Sequence, residues 1–215
     1  MNPLTLDLID TNIITSFKNR DHSAFYSNYS LNKKWVSYIQ TTFPDIFQNS
    51  LIIKITNNKL IYEKDFKLEV DPCKITCFIL EIRSDLIPYK HLNAMIIDSG
   101  KVYRYEPYGS IDSINLMYNY KLVDAFLEQF FNGLDLDLDL SYYGPTSYQM
   151  TLGPQTIEEI VKQEHEGFCT AWSLMFIHLK LLNKDKPVEE VDRILCSHLD
   201  HKKLIFAYVT FLERL

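Results

Sequence analysis

Apolar residues recur every three or four positions in two N-terminal stretches, "LTLDLIDTNIITSF" (4–17) and "NKKWVSYIQTT" (32–42). That spacing lines one face of a helix and predicts a helix in each, the second stopped by Pro44. The period then changes to that of strands. "LIIKITNNKLIYEKDF" reads as two short strands around the turn Asn57-Asn58, and the β-branched, apolar "CKITCFILEI" as a central strand. "HLNAMIIDSGKVYRYEP" reads as a hairpin turning at Ser99-Gly100. Residues 115–132 return to helical spacing, ended by Gly133. The strict alternation of "LDLDLDLSYY" predicts a half-buried strand, and "TSYQMTL" a further short one. Residues 168–183, 187–197 and 201–214 predict three closing helices. Helices, a block of strands, then helices imply an α+β domain with a largely antiparallel sheet.

Composition narrows this picture. The chain has 215 residues, 47% of them hydrophobic, with only six glycines and eight prolines. That is enough for a sizeable core and too little linker for two units, so residues 1–215 are expected to form one domain. The net charge is −6 and no Lys/Arg run occurs, which argues against nucleic acid as a partner. No apolar run reaches the ~20 residues that span a bilayer. "MNPLTLDLID" lacks the basic and apolar regions of a signal peptide. Free thiols in a reducing, cytoplasmic setting are therefore expected for Cys73, Cys77, Cys169 and Cys196, and the sequon at Asn28 carries no meaning there. Cys73 and Cys77 have no matching pair at zinc spacing, and the aspartates of 135–139 lack the glycine and terminal glutamate of an EF-hand. No metal or other cofactor is expected.

Chemistry concentrates around "EHEGFCTAWSLMFIHLKLL". The run after Cys169 is apolar nearly all round, the mark of a buried helix. Cys169 stands in its first turn, where unpaired N–H groups and a partial positive charge lower a thiol pKa. A thiolate nucleophile needs a base. His178 lies nine residues down the same helix, roughly 13 Å away at ~1.5 Å per residue, and cannot reach. His165 precedes the cysteine with open geometry, and His22, His198 and His201 have no supporting context. His91 opens a strand. If Ser99-Gly100 is a two-residue loop, Asp98 pairs with Lys101, Asn93 faces Glu106, and Glu106 sits diagonally from His91 on the same face. A histidine with a carboxylate so placed is a base with its orienting group. An ordinary surface ion pair is the plainer alternative. For Cys77, inside the central strand, a buried structural thiol is the reading.

The order "HLN", "EPYG", "GPQ" and "GFCTAWS" resembles that of papain-like cysteine proteases of the adenovirus-protease and SUMO-protease type, closest to relatives from large DNA viruses and amoeba-associated bacteria. The resemblance covers residues 91 to about 182. It implies a papain-like fold with a buried nucleophile-bearing helix and a core over 71–215. Implied roles are Cys169 as nucleophile, His91 as base, Glu106 as orienter and Gln155 as oxyanion donor. Residues 1–70, which carry no part of the resemblance, are expected to recognise substrate. The implied substrate is ubiquitin or a ubiquitin-like modifier ending in Gly-Gly, cleaved in the host cytosol or, for a viral protein, in the virion. Alternatives are a polyprotein-maturation protease, an acetyltransferase on the same site, or an inactive binding relative. Two departures stand out. The family's Trp after the histidine is Leu92 here, so Trp172, Tyr89, Tyr105 and Tyr108 become candidates to close a glycine channel, against a plain core role for Trp172. The family's glutamine precedes the cysteine by about six residues. Gln163 has that spacing and Gln155 lies 14 residues before, in a Gly-Pro-Gln turn; Gln155 is preferred.

Overall fold

The computed structural model describes residues 29–48, 50–57, 59–62, 66–85, 90–110, 118–136, 138–157 and 168–215. Helix α1 (Tyr29–Thr42) leads into strands β1 (Ile46–Phe47), β2 (Leu51–Thr56), β3 (Lys59–Tyr62), β4 (Thr76–Ser84), β5 (His91–Asp98) and β6 (Lys101–Tyr105). Helix α2 (Tyr120–Asn132), strand β7 (Ser141–Tyr143) and the single turns α3 (Pro145–Tyr148) and α4 (Pro154–Ile157) follow. Three helices close the chain: α5 (Cys169–Leu182), α6 (Val188–Cys196) and α7 (His201–Arg214). The helix predicted over 4–17 lies outside the described residues.

The strands form one seven-stranded sheet in the order β3-β2-β4-β5-β6-β7, with β1 also on β4. Its centre, β4-β5-β6, is antiparallel, but β2 and β1 run parallel to β4, and β7 runs parallel to β6. The sheet is thus mixed, more so than the largely antiparallel expectation, because the chain returns to both flanks of the central hairpin through long connections. β5 and β6 meet at Asp98 and Lys101, as the two-residue loop requires. Ser99 and Gly100 both take positive φ, 53° and 78°, the backbone whose twist suits a two-residue hairpin.

The two faces of the sheet carry different helices. On one, Leu92, Ala94, Ile96, Tyr103 and Tyr105 pack under α5, with α1, α6 and α7 around it. On the other, Phe78, Leu80, Ile82, Met95 and Ile97 pack against Val123, Leu127 and Phe131 of α2. α5 is buried at 12 of its 14 positions, including Lys180, whose ammonium pairs with Asp98 at 2.8 Å and donates to two carbonyls of the following turn.

Three expectations shift in detail. α2 starts at Tyr120, because the Asn119 side chain caps it by accepting from the N–H of Leu122. The alternation in 134–143 is real as burial, with Leu140 buried and Asp135 and Asp139 exposed, but only Ser141–Tyr143 finds a strand partner. The strand predicted from "TSYQMTL" is a helical turn begun by Pro145 and then a bend, with the Gln149 N–H donating to the Pro145 carbonyl. Residues 71–215 do not complete the sheet alone either: β1, β2 and β3 belong to it, and Trp35 of α1 is fully buried with its indole N–H donating to Tyr208 at 3.0 Å.

Truncation of Trp35 therefore removes core and not an appendage. Trp35→Ala is expected to cost about 3–5 kcal/mol of unfolding free energy, the range of large core truncations. A urea titration checks this, and a cost under ~1 kcal/mol would show that α1 is peripheral.

Candidate active site

His91 is the first residue of β5 and Glu106 the first residue past β6. The recorded ladder ends at Ala94 opposite Tyr105, so one step on Asn93 stands opposite Glu106, with His91 on the diagonal. The His91 Nε2 lies 2.8 and 3.0 Å from the two Glu106 carboxylate oxygens, and both side chains are buried. Tyr118 donates to Glu106 Oε2 at 2.7 Å, Asn93 Nδ2 to the same oxygen at 2.9 Å, and the Tyr108 N–H to Oε1 at 3.2 Å. Behind them, the buried Arg104 donates to Asn93 Oδ1 at 2.7 Å and pairs with Asp124 of α2 at 3.0 Å. Arg104 thereby fixes which end of the Asn93 amide faces the carboxylate. Tyr108 stacks on the His91 ring at 5.7 Å.

The start of α5 meets this pair. Ser173, one turn on from Cys169, donates its Oγ to the Leu92 carbonyl at 3.0 Å and so fastens α5 to the strand residue next to His91. Hydrogen bonding and charge from the His91 ring, and the Leu92 backbone, favour the Cys169 thiolate. Since Nε2 is engaged by Glu106, Nδ1 is the nitrogen left for sulfur. Phe168, at the helix N-cap, makes no side-chain cap to the N–H groups of the first turn.

The electrostatics follow from these contacts. Burial alone would raise the Glu106 pKa, but the imidazolium of His91, its hydrogen bond, Arg104 and Tyr118 together hold it down at about 2. Burial alone would lower that of His91, yet Glu106 and the hydrogen bonds to Cys169 and Glu106 push it up to about 10. Burial likewise opposes ionisation of Cys169. The hydrogen bond and charge of His91 and the Leu92 N–H outweigh it, and the thiol sits below its ordinary range. The other cysteines differ. Cys77 is buried in β4 and driven upward by desolvation and by Asp45, Cys196 is driven upward by desolvation beside Asp192, and Cys73 is exposed.

Gln155 lies on α4, which packs against α5, α6 and α7. Its amide is buried, and neither its oxygen nor its nitrogen has a hydrogen-bond partner among the described residues. The loop carrying it is laced to the turn after Glu106: Gly153 N–H donates to the Tyr108 carbonyl at 2.9 Å, Gln155 N–H to that of Pro107 at 3.1 Å, and Thr156 Oγ1 to Tyr108 at 2.7 Å. Gly109, at φ 88°, and Gly153 touch backbone to backbone, and a Cβ on either would collide with the other's nitrogen. That contact is the physical reason for the glycines of "EPYG" and "LGPQ".

The remaining predictions resolve as follows. His178 sits at the far side of α5 between Tyr38 and Tyr208, with desolvation lowering its pKa to about 4. His201 is buried with Nε2 on the Leu195 carbonyl, and His198 Nδ1 accepts from the Asp200 N–H. His22, Tyr89, Gln163 and His165 lie outside the described residues. Trp172 is fully buried and edge-on to His201, as a core residue would be. Tyr105 is stacked on Phe176 at 3.8 Å inside the core. A groove of about 730 Å³ between α1 and the sheet includes Leu92 and Thr170, the neighbours of His91 and Cys169, in its lining. Among the described residues, no group of three or more His, Cys, Asp or Glu is placed to hold a metal ion, and no helix is long and apolar enough to cross a membrane.

No protein-family model matches the chain. Over 179 residues it is 27% identical to a putative ankyrin repeat protein of Acanthamoeba polyphaga mimivirus, a match covering 77% of this chain and 21% of that protein. The chain thus spans about a fifth of that protein's length. Ankyrin arrays are stacked helix pairs of ~33 residues each, whereas the described residues here build one mixed sheet flanked by helices.

Two pH measurements test the electrostatics. Alkylation of Cys169 by iodoacetamide should reach half its maximal rate well below the ~8.5 of a free thiol. In His91→Ala it should move up to or beyond that value; equal profiles in the two proteins would disprove the pairing. Stability gives a second reading. The depressed Glu106 stabilises the fold above about pH 4.5 and loses this as pH falls through about 2. The raised His91 stabilises below about pH 6.5 and loses this as pH rises through about 10. The stability gap between wild type and Glu106→Gln should therefore peak between about pH 4.5 and 6.5 and narrow on both sides, as urea titrations across that range would reveal.

Proposed function

We propose that this chain is a cysteine peptidase of papain-like fold that releases ubiquitin or a ubiquitin-like modifier at a C-terminal Gly-Gly. The observation that carries the reading is the buried relay from Glu106 through His91 to Cys169, with the thiol lowered despite its burial. A structural thiol in the same setting would be raised, as Cys77 and Cys196 are. The residue order and the resemblance of residues 91 to about 182 supply the substrate class.

The chemistry follows from the geometry. Cys169 is held as thiolate beside the His91 imidazolium and attacks the carbonyl carbon at the modifier's last glycine. Negative charge gathers on the carbonyl oxygen. The Cys169 N–H, in the first turn of α5, and the unpartnered Gln155 amide are donors suited to receive it. Collapse of this intermediate breaks the C–N bond, and His91 passes its proton to the leaving lysine amine. Water then attacks the thioester, giving up a proton to His91, and restores the thiol as the modifier leaves with its carboxylate. Glu106 keeps the ring oriented and its charge balanced throughout. The groove lined in part by Leu92 and Thr170 would be the approach to the sulfur for the modifier's tail. α1 and β1, which line that groove, are where residues 29–70 would touch substrate.

The test is a panel of ubiquitin, SUMO and other ubiquitin-like modifiers bearing a C-terminal electrophile. One class should be captured covalently at Cys169, and Cys169→Ala should lose capture and cleavage while keeping its melting temperature. His91→Ala should lose nearly all turnover, by 10²-fold or more, and Glu106→Gln less, since an amide still orients the ring. Capture at Cys73, Cys77 or Cys196 would overturn the assignment. Failure of every modifier to react, with Cys169 still readily alkylated, would remove the substrate class and leave the relay.

A further inference from the structure

We infer that Gln149, held in place by Asp192, is a positioning residue that fixes the main chain of Glu106 and through it the orientation of His91. The inference rests on the reading of Glu106, His91 and Cys169 as a catalytic relay. Glu106 stands just past the end of every strand pairing: β6 leaves β7 at Tyr103 opposite Tyr143 and leaves β5 at Tyr105 opposite Ala94. Beyond those pairs its N–H and carbonyl lie outside both ladders in a buried residue, the carbonyl accepting from the Gly109 N–H at 2.9 Å within the following turn. The side chain of Gln149 takes the place of a strand partner. Its Oε1 accepts from the Glu106 N–H at 2.7 Å, and its Nε2 donates to the Glu106 carbonyl at 3.1 Å. One amide thus makes the two-point contact that a paired strand would make.

The Glu106 N–H can only donate and its carbonyl can only accept, so they fix which end of the amide faces which, and Asp192 holds the same orientation from the other side. The Asp192 carboxylate on α6 accepts from Gln149 Nε2 at 3.1 Å through one oxygen and from the Met150 N–H at 2.9 Å through the other. A carboxylate has no proton to donate, so the nitrogen end of Gln149 must face it, and the oxygen end is left for the Glu106 N–H. Cys196, one turn along α6, adds its thiol to the same Asp192 oxygen at 3.7 Å. The C-terminal helices therefore hold the acid from behind, on the side away from Arg104 and Tyr118. The consequence is geometric. The Glu106 oxygens lie 2.8 and 3.0 Å from His91, and a shift of an ångström in the Glu106 main chain breaks those contacts without unfolding anything. A residue that merely fills space at position 149 would not have this effect.

The experiment uses the full chain with Gln149→Met, which keeps the volume and removes both polar ends, and Asp192→Asn, which keeps Gln149 but removes the charge that anchors its nitrogen end. Three readouts are taken on protein shown to be folded by its thermal melt: the His91 imidazole titration by NMR, the pH profile of Cys169 alkylation mapped by mass spectrometry, and turnover of the modifier substrate. Gln149→Met should lower the His91 pKa and move Cys169 alkylation upward by about one pH unit or more, the size of losing one good charged contact. It should also reduce kcat at least tenfold with KM within about twofold. Asp192→Asn should shift each in the same direction by less. Unchanged His91 titration and alkylation in folded Gln149→Met overturn the inference whatever the turnover. So does failure of both variants to fold, which would make the pair plain structure. Shifts in both profiles in a chain that processes no modifier would uphold the clamp and reject the peptidase reading.

Discussion

A carboxylate and an imidazole buried together, 2.8 Å apart, impose conditions on everything near them. An unpaired buried charge costs several kcal/mol, so each must keep its partner, and each remaining lone pair or proton must find a bond. The fold meets this with a shell of polar groups in an otherwise apolar sheet. Asn93, Tyr118 and the Tyr108 N–H satisfy Glu106, Arg104 orders Asn93, and Asp124 anchors Arg104 from α2. Charge alternates along this chain of contacts, from Asp124 to Arg104, across Asn93 to Glu106, then to His91 and the sulfur. No member can be exchanged for an apolar group without stranding its neighbour.

Position comes from two simple devices. The β5-β6 register, set by a two-residue turn at the far end, carries His91 and Glu106 to the same end of the sheet. Ser173 of α5 then holds the Leu92 carbonyl, and Lys180 pins the helix's other end to Asp98 beside the turn. Helix and hairpin are thus fastened at both ends, and the sulfur's place relative to the ring follows.

Much of this was legible in the sequence. Alternation and a Ser-Gly turn are local signals, and they were enough to put His91 and Glu106 on one face and to make the run after Cys169 a buried helix. The mixed character of the sheet was not legible, because parallel pairing of β2 with β4 and β7 with β6 depends on where long connections return. "TSYQMTL" misled because its alternation resembles a strand while Pro145 sets a helical turn. The shell of the acid was half-visible: Asn93 and Arg104 are polar residues at alternate positions in apolar strands, a pattern that asks for buried partners. Tyr118, Asp124, Gln149 and Asp192 left no such trace, since each comes from another element and is joined to the site only by tertiary packing.

The backbone contact between Gly109 and Gly153 has a mechanical meaning. The turn that follows the acid and the loop that leads to Gln155 touch with no side chain between them, and several hydrogen bonds cross the seam. Two loops joined so closely move as one body. A displacement of the loop that carries Gln155 pulls on the turn beside Glu106, and the reverse holds too. The seam is a joint of one fixed spacing, set by two backbones and not by side chains.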